Sequence, residues 1–240
     1  MKIACIIPDR NDRPKLLEHC RLMLANQTVK VDFINVVNAP ATSEKPDITK
    51  RYRLGYELIS DDGGFDIIFL IENDDYYAPD YIEKMLAAWN DAGKPELFGT
   101  SYTYYYHVGL SSYFWMNHPV RASAMNTMIV PGLNISWPND NEVYTDLHLW
   151  THSHVIDCRK KTWTPPNIIS IGIKHGVGLC GGRHHFDRLN RYKMKGGMGN
   201  EKASGVEDIN MDFLRANVDK ESFEFYLKMK QEWQITQKEK

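Results

Sequence analysis

Three carboxylates stand within four residues at Glu72, Asp74 and Asp75, inside the stretch FLIENDDYYAPDYI (residues 69–82). An apolar run leads straight into them, and a helical pattern follows at once. Like charges packed so closely repel one another, and a loop that only had to turn would not require them. Oxygen donors of this kind suit a hard divalent cation. Mg²⁺ or Mn²⁺ is held by one or two carboxylates together with the phosphates of a substrate, and neutralises a diphosphate leaving group. The bland alternative is a solvated loop in which Asp74 or Asp75 caps the next helix.

Further residues could do chemistry. His148 and His152 are spaced i, i+4, which can bind a metal, although packing and surface roles are the commoner use. Cys158, Cys180, His184 and His185 offer zinc donors without a standard spacing. The segment RHHFDRLNRYKMK (183–195) carries five Arg or Lys residues against one Asp and is flanked by glycine pairs. Arg183, Arg188 and Lys195 could fold over a diphosphate as a lid, could meet a polyanionic acceptor, or could lie in a solvated loop. Tyr102, Tyr104, Tyr105, Tyr106, Tyr113, Phe114 and Trp115 could stack on sugars or nucleobases, or form core.

The elements that would position these groups read as an alternating pattern. Residues 2–8 form a continuous apolar run, a strand buried on both faces. A helix follows, capped by Asn11 or Asp12, with Pro14 in its first turn and Leu17, Cys20 and Leu24 on one face. Residues 31–39 read as a second buried strand and 47–59 as a helix carrying Arg51 and Arg53 on other faces. Residues 65–72 read as a third strand. After Pro79, Ile82, Met85, Leu86 and Trp89 form an i, i+3, i+4, i+7 stripe. This β-α-β-α-β-α order implies a parallel sheet with right-handed crossovers. Beyond residue 97 the pattern becomes mixed: aromatic strands, a helix over 145–160 capped by Thr145, a strand over 165–175, and a helix near 221–236. In an open parallel sheet, ligands bind beyond the carboxyl ends of the strands. That places Pro8, Asp9 and Arg10, then Asn38, then Glu72 to Asp75, at one edge.

Composition is that of an ordinary globular chain: 240 residues, 42% hydrophobic, 25% charged, net charge −2. No global excess of basic charge marks a nucleic-acid binder. Four scattered cysteines without a CxxC pair fit reduced thiols and a cytoplasmic protein. The apolar start is too short for a signal peptide, and no run reaches membrane-spanning length. Asn26 and Asn134 match the glycosylation pattern, taken as chance matches. The expected organisation is one α/β unit, with a nucleotide-binding half over 1–95, an acceptor and catalytic half over 96–175, and a basic glycine-rich lid with a helical region over 176–240.

Two blocks carry a family resemblance. IIPDRNDRPKLLEHCRLMLANQT resembles the opening of family 2 glycosyltransferases, and FLIENDDYYAPDYIEKM resembles their strand ending in D-x-D-D before a Pro and a helix. The resemblance covers roughly residues 1–95 and implies a GT-A-like fold, a Rossmann-like mixed sheet with helices on both faces. It implies transfer of a sugar from a nucleoside-diphosphate sugar, a UDP-sugar by preference, to an acceptor hydroxyl. Pro8, Asp9 and Arg10 match positions lining the nucleotide base, and Asn38 stands where an Asp is common. Glu72 replaces the first Asp of the motif and faces the ribose. Asp74 is then the direct ligand of Mn²⁺ or Mg²⁺, Asp75 binds or fixes the loop, and Arg51 or Arg53 faces the nucleotide unless it lies on a solvated helix face. A late histidine completes the metal site in many such enzymes, which selects His175, with His184 and His185 as alternatives. Inverting members use an acid at a helix start as base, which selects Asp146 over Asp140 and Glu142. The acceptor stays open between a glycan, a small molecule and DNA. A DNA-modifying enzyme acting on a hydroxylated base and a nucleotidyltransferase are the competing readings. The latter would want a glycine after the first strand, and PDRND has none.

Overall fold

The structure, a computed structural model, describes residues 1–39, 45–118, 120–176 and 206–238. Its contacts group the chain into two compact units that interleave along the sequence. The first comprises Met1–Asn73, Pro79–Ser101 and His118–Pro165. The second comprises Asp74–Ala78, Tyr102–Asn117 and Pro166–Lys240.

The first unit is built on a six-stranded mixed sheet. Its strands are β1 (Ile3–Pro8), β2 (Phe33–Val37), β3 (Ile67–Leu70), β5 (Leu97–Thr100), β8 (Thr127–Ile129) and β9 (Lys160–Trp163), in the order β2-β1-β3-β8-β5-β9. β1 lies parallel to both β2 and β3, with Ile6 opposite Asn35 on one side and Leu70 on the other. The continuous apolar run of β1 is buried throughout, as two covered faces require. β8 enters antiparallel between β3 and β5 and makes the sheet mixed.

Four helices belong to this unit: α1 (Pro14–Ala25), α2 (Ile48–Asp62), α3 (Tyr81–Asp91) and α4 (Thr145–Thr151). The stripe Ile82, Met85, Leu86 and Trp89 of α3 is buried as its spacing predicts. Each such side chain contributes about 1.5–3 kcal/mol when fully removed from water. The core joins Tyr52, Tyr56 and Ile59 of α2 to Ala4 and Ile6 of β1, and Leu149 and Trp150 of α4 to Leu97 of β5.

Several local expectations are corrected. α1 starts after Arg13 with no side-chain cap. Asn11 adopts a left-handed conformation instead (φ 59°), and the buried face is Leu16, Cys20, Met23 and Leu24. β2 is an edge strand and not a buried one: Phe33 is exposed and stacks on Phe65 at 5.6 Å. The helix expected over 145–160 ends at Thr151, because His152 takes an extended conformation (φ −109°, ψ 107°), and Lys160–Trp163 pairs parallel with β5. Thr145 does not cap α4; its hydroxyl is buried against that of Thr49.

The second unit holds a five-stranded sheet of β4 (Tyr76–Tyr77), β6 (Tyr102–His107), β7 (Ser112–Asn117), β10 (Ser170–Lys174) and β11 (Val206–Glu207), ordered β11-β7-β6-β10-β4. β6 and β7 form a hairpin, and β10 runs parallel to β6. Two helices follow, α5 (Asp212–Asn217) and α6 (Lys220–Lys238), the second as expected from sequence. Trp233 of α6 sits against two glycines. A Cβ on Gly109 would lie 2.4 Å from the indole, and one on Gly176 (φ +85°) 2.8 Å from it. Among the described residues no helix is long and apolar enough to cross a membrane.

Candidate functional site

The carboxyl ends of β1, β2 and β3 are stitched together by the residues that follow them. The Asp9 N–H donates to the Val37 carbonyl (3.1 Å). The Asp9 carboxylate, 1% exposed, accepts from the Asn73 amide (2.7 Å) and the Asn11 N–H (3.1 Å). The Asn11 side chain in turn donates to the Asn38 carbonyl (2.8 Å). Pro8 is buried at the end of β1 opposite Val37. Arg10 lies 3.7 Å from Asp47. Arg51 is not on a solvated helix face. It is buried, donating to the Val37 carbonyl (2.9 Å) and to Asp47 (2.8 Å). Its charge is thus held by the end of β2 and by its own helix.

The acidic stretch lies just past β3, where the chain passes from the first unit to the second. One oxygen each from Glu72, Asp74 and Asp75 lies within 4.8 Å of the others. Neither aspartate caps α3: the residue before that helix is Asp80, and in its first turn the Ile82 N–H donates to the Gln27 side-chain carbonyl (3.0 Å). Asp75 is buried, accepts the Ile173 N–H at 2.8 Å, and lies 3.8 Å from the Lys174 ammonium. Asp74 Oδ2 lies 3.1 Å from His175 Nε2, with the histidine side chain 3% exposed. The structure thus brings together two residues 101 positions apart in sequence.

This donor set fits a hard divalent cation. Carboxylate oxygens dominate it, one imidazole nitrogen joins, and Asp75 is fixed by a backbone N–H and not by a second carboxylate. Asp74 and His175 are the residues that would hold the ion. Lys174 went unnoticed in the sequence. It is a buried ammonium over the Tyr105 ring (5.5 Å), and its signal was a lone lysine in an otherwise apolar strand. Nearby His107 is buried, which lowers its pKa to about 4 with help from His175 and Lys174, so it is neutral at physiological pH.

A second group of carboxylates lies before and within α4. Asp146, in the first turn of α4, forms an ion pair with the Arg121 guanidinium. Burial raises its pKa, opposed by Arg121 and by backbone N–H groups of the helix start. Asp140 is bound in fork fashion by Arg53, at 3.1 Å to each oxygen. Glu142 accepts the Tyr144 and Val143 N–H groups (both 2.9 Å), which hold its pKa below the usual carboxylate value, and its other oxygen lies 3.5 Å from His148 Nε2. Arg121 has no sequence signal, because only the fold carries it 25 residues to Asp146. Arg183, Arg188, Lys195, His184, His185 and Cys180 lie outside the described residues.

No known family profile matches the sequence, and no curated protein does. Solved structures with a likeness include A197 from STIV, at 12% identity over 68% of this chain and 82% of that one, with a TM-score of 0.42. TarS from S. aureus (residues 1–349, in complex with UDP) gives 14% identity over 72% of this chain and 60% of its own, TM-score 0.47. The same fragment with UDP-GlcNAc gives 12% and 0.45. A longer TarS chain is matched over 90% of this chain but 42% of its own length, at 13% identity and TM-score 0.47. At TM-scores below 0.5 these likenesses carry no argument about the chemistry.

Proposed function

We propose that this chain is a metal-dependent glycosyltransferase that moves a sugar from a nucleoside-diphosphate sugar, a UDP-sugar by preference, to an acceptor hydroxyl. The observation that carries the reading is the meeting of Asp74 with His175 beside Asp75 and Glu72, in the segment that most resembles the family 2 motif. Bound there, Mn²⁺ or Mg²⁺ would neutralise the departing diphosphate. Pro8, Asp9, Arg10 and Asn38 order the strand ends that take the nucleotide, and Arg51 keeps the end of β2 in place from its buried position. Asp75 holds the end of β10, from which Lys174 and His175 project. Arg183 belongs to the basic segment assigned to cover the diphosphate.

Asp146 serves as the general base in a single displacement with inversion. Its desolvated carboxylate takes the proton from the acceptor hydroxyl, and its raised pKa makes it a better base than a solvated aspartate. Asp140 and Glu142 are less suited, because their side chains are 42% and 31% exposed against 12% for Asp146, so they lack its desolvation.

A panel of nucleotide sugars, with and without Mn²⁺ and over glycan, small-molecule and DNA acceptors, tests the reading. The expected result is release of free nucleoside diphosphate that requires metal and is fastest with UDP-sugars. Asp146→Asn should lower turnover by about 10²–10⁴-fold with donor affinity unchanged. Release of pyrophosphate would point to nucleotidyl transfer, and retained anomeric configuration would reject the single displacement.

A further inference from the structure

We infer that helix α6 presets the distance between the two metal ligands, with Tyr76 and Trp233 as its positioning residues. The inference rests on the reading of Asp74 and His175 as the residues that hold the ion. Asp74 precedes β4 and His175 follows β10, and α6 lies in the same unit as both strands. The ladder between those strands joins Ser170 to Tyr77 and Ile171 to Tyr76, at the end of β10 remote from His175. Beyond it side-chain contacts take over, Asp75 to the Ile173 N–H and Asp74 to His175.

α6 starts beside the first of these strands. Asp219 caps it, its carboxylate accepting the Ser222 N–H (2.9 Å) and the Ser222 hydroxyl (2.8 Å). The Asp219 N–H in turn donates to the hydroxyl of Tyr76 (3.1 Å), the residue directly after Asp75. Near the other end of α6, Trp233 lies against Gly176, the residue directly after His175. A Cβ there would meet the indole nitrogen at 2.8 Å. The same indole covers Gly109 and meets the ring of His107 edge-on at 6.2 Å. His107 ends β6 opposite Lys174, so Trp233 packs where β6 and β10 finish side by side.

The two spans are comparable. From Asp219 to Trp233 the helix rises roughly 21 Å at about 1.5 Å per residue. From Ile171, the partner of Tyr76, to Gly176 the strand covers roughly 17 Å at about 3.3 Å per residue. Ser222 and Tyr226, both 1% exposed, share one helix face with Trp233, so the rod is seated between its two ends. Packing of this kind stabilises any fold. What gives α6 a part in binding is where it grips, beside Asp75 at one end and beside His175 at the other. Outer contacts that orient a metal ligand commonly change affinity by about 10–100-fold. Here they hold Asp74 and His175 at 3.1 Å, which leaves little ordering for an arriving ion to impose.

Titration of Mn²⁺ alone into the full chain, with the free ion followed by electron paramagnetic resonance, tests this at a temperature where circular dichroism shows every variant folded. Trp233→Ala should bind Mn²⁺ about tenfold more weakly and Tyr76→Phe about threefold, while Trp233→Phe stays within twofold because a ring still covers Gly176. Leu214→Ala is the control: it removes a fully buried side chain of α5, so it should lower the melting temperature and leave Mn²⁺ affinity unchanged. Should Trp233→Ala not fold, Trp233→Leu takes its place. Affinity within twofold of wild type in Trp233→Ala or in Tyr76→Phe would overturn the inference, as would an equal loss in Leu214→Ala. A wild-type chain that binds no Mn²⁺ would instead reject the metal reading itself, and this inference with it.

Discussion

The acidic stretch at 72–75 and the loop and helix at 140–148 each hold three carboxylates, yet they spend them differently. Around α4 each acid has its own side-chain partner: Arg53 for Asp140, His148 for Glu142, Arg121 for Asp146. In the stretch after β3, Glu72, Asp74 and Asp75 are grouped on one another, and among the described residues Lys174 and His175 approach them from a single strand end. The first arrangement settles charge pair by pair. The second keeps negative charge concentrated in one place, which suits an added cation better than it suits stability. What separates the two groups of acids is the pairing, and not the number of carboxylates.

The sharpest way to break this contrast is Asp74→Asn. Metal-dependent donor binding should fall by about 100-fold or more, equivalent to about 2.7 kcal/mol, with an unchanged melting curve. Calorimetry with Mn²⁺ and UDP reads it; undiminished affinity would move the metal elsewhere.

Arg121→Gln sharpens the other side. It strands a buried carboxylate, and about 3 kcal/mol of stability should be lost at neutral pH. The sign with pH follows from the direction of the shift. Burial already raises the pKa of Asp146 above its unfolded value, and removing Arg121 raises it further. The penalty is therefore present when the carboxylate is ionised and fades as pH falls through the folded pKa into the acid range. Urea unfolding at neutral and acidic pH checks this, and an equal loss at both would mean that the pair is not what Arg121 provides.

Arg53→Ala should have the smallest effect. Its pair with Asp140 is partly exposed, with side chains 27% and 42% accessible, so about 0.2–1 kcal/mol is expected, shrinking with added salt. A loss well above that range would place Asp140 among the buried, structural acids.

The parallel half of the first sheet was legible because its signals are local: the apolar runs of β1 and β3 and the stripe of α3 each follow from one stretch of chain. α4 misled for a physical reason. Leu149 and Trp150 are followed by Val155 and Ile156 at helical spacing, and all four are buried, but an extended residue at His152 separates the pairs. Periodicity records which residues are buried and not whether the backbone between them stays helical. At the candidate site, Asp74, Asp75 and His175 could be picked out from strand ends. Arg121, the buried clamp of Arg51 and the support of Asp75 by the Ile173 N–H could not, since each depends on residues that only tertiary packing brings near.

The indole of Trp233 restricts how this sequence can drift. Gly109 and Gly176 lie on different stretches of chain, one in the β6–β7 turn and one directly after His175, and the same ring crowds both, with a left-handed φ adding to the demand at Gly176. Alanine at Gly109 gains room once the tryptophan has given way to a smaller residue, whereas alanine at Gly176 also meets its left-handed backbone (φ +85°). Descendants of this sequence should therefore change Gly109 and Trp233 in concert while Gly176 stays, so that a helix far along the chain has a say in which residues a distant hairpin turn can carry.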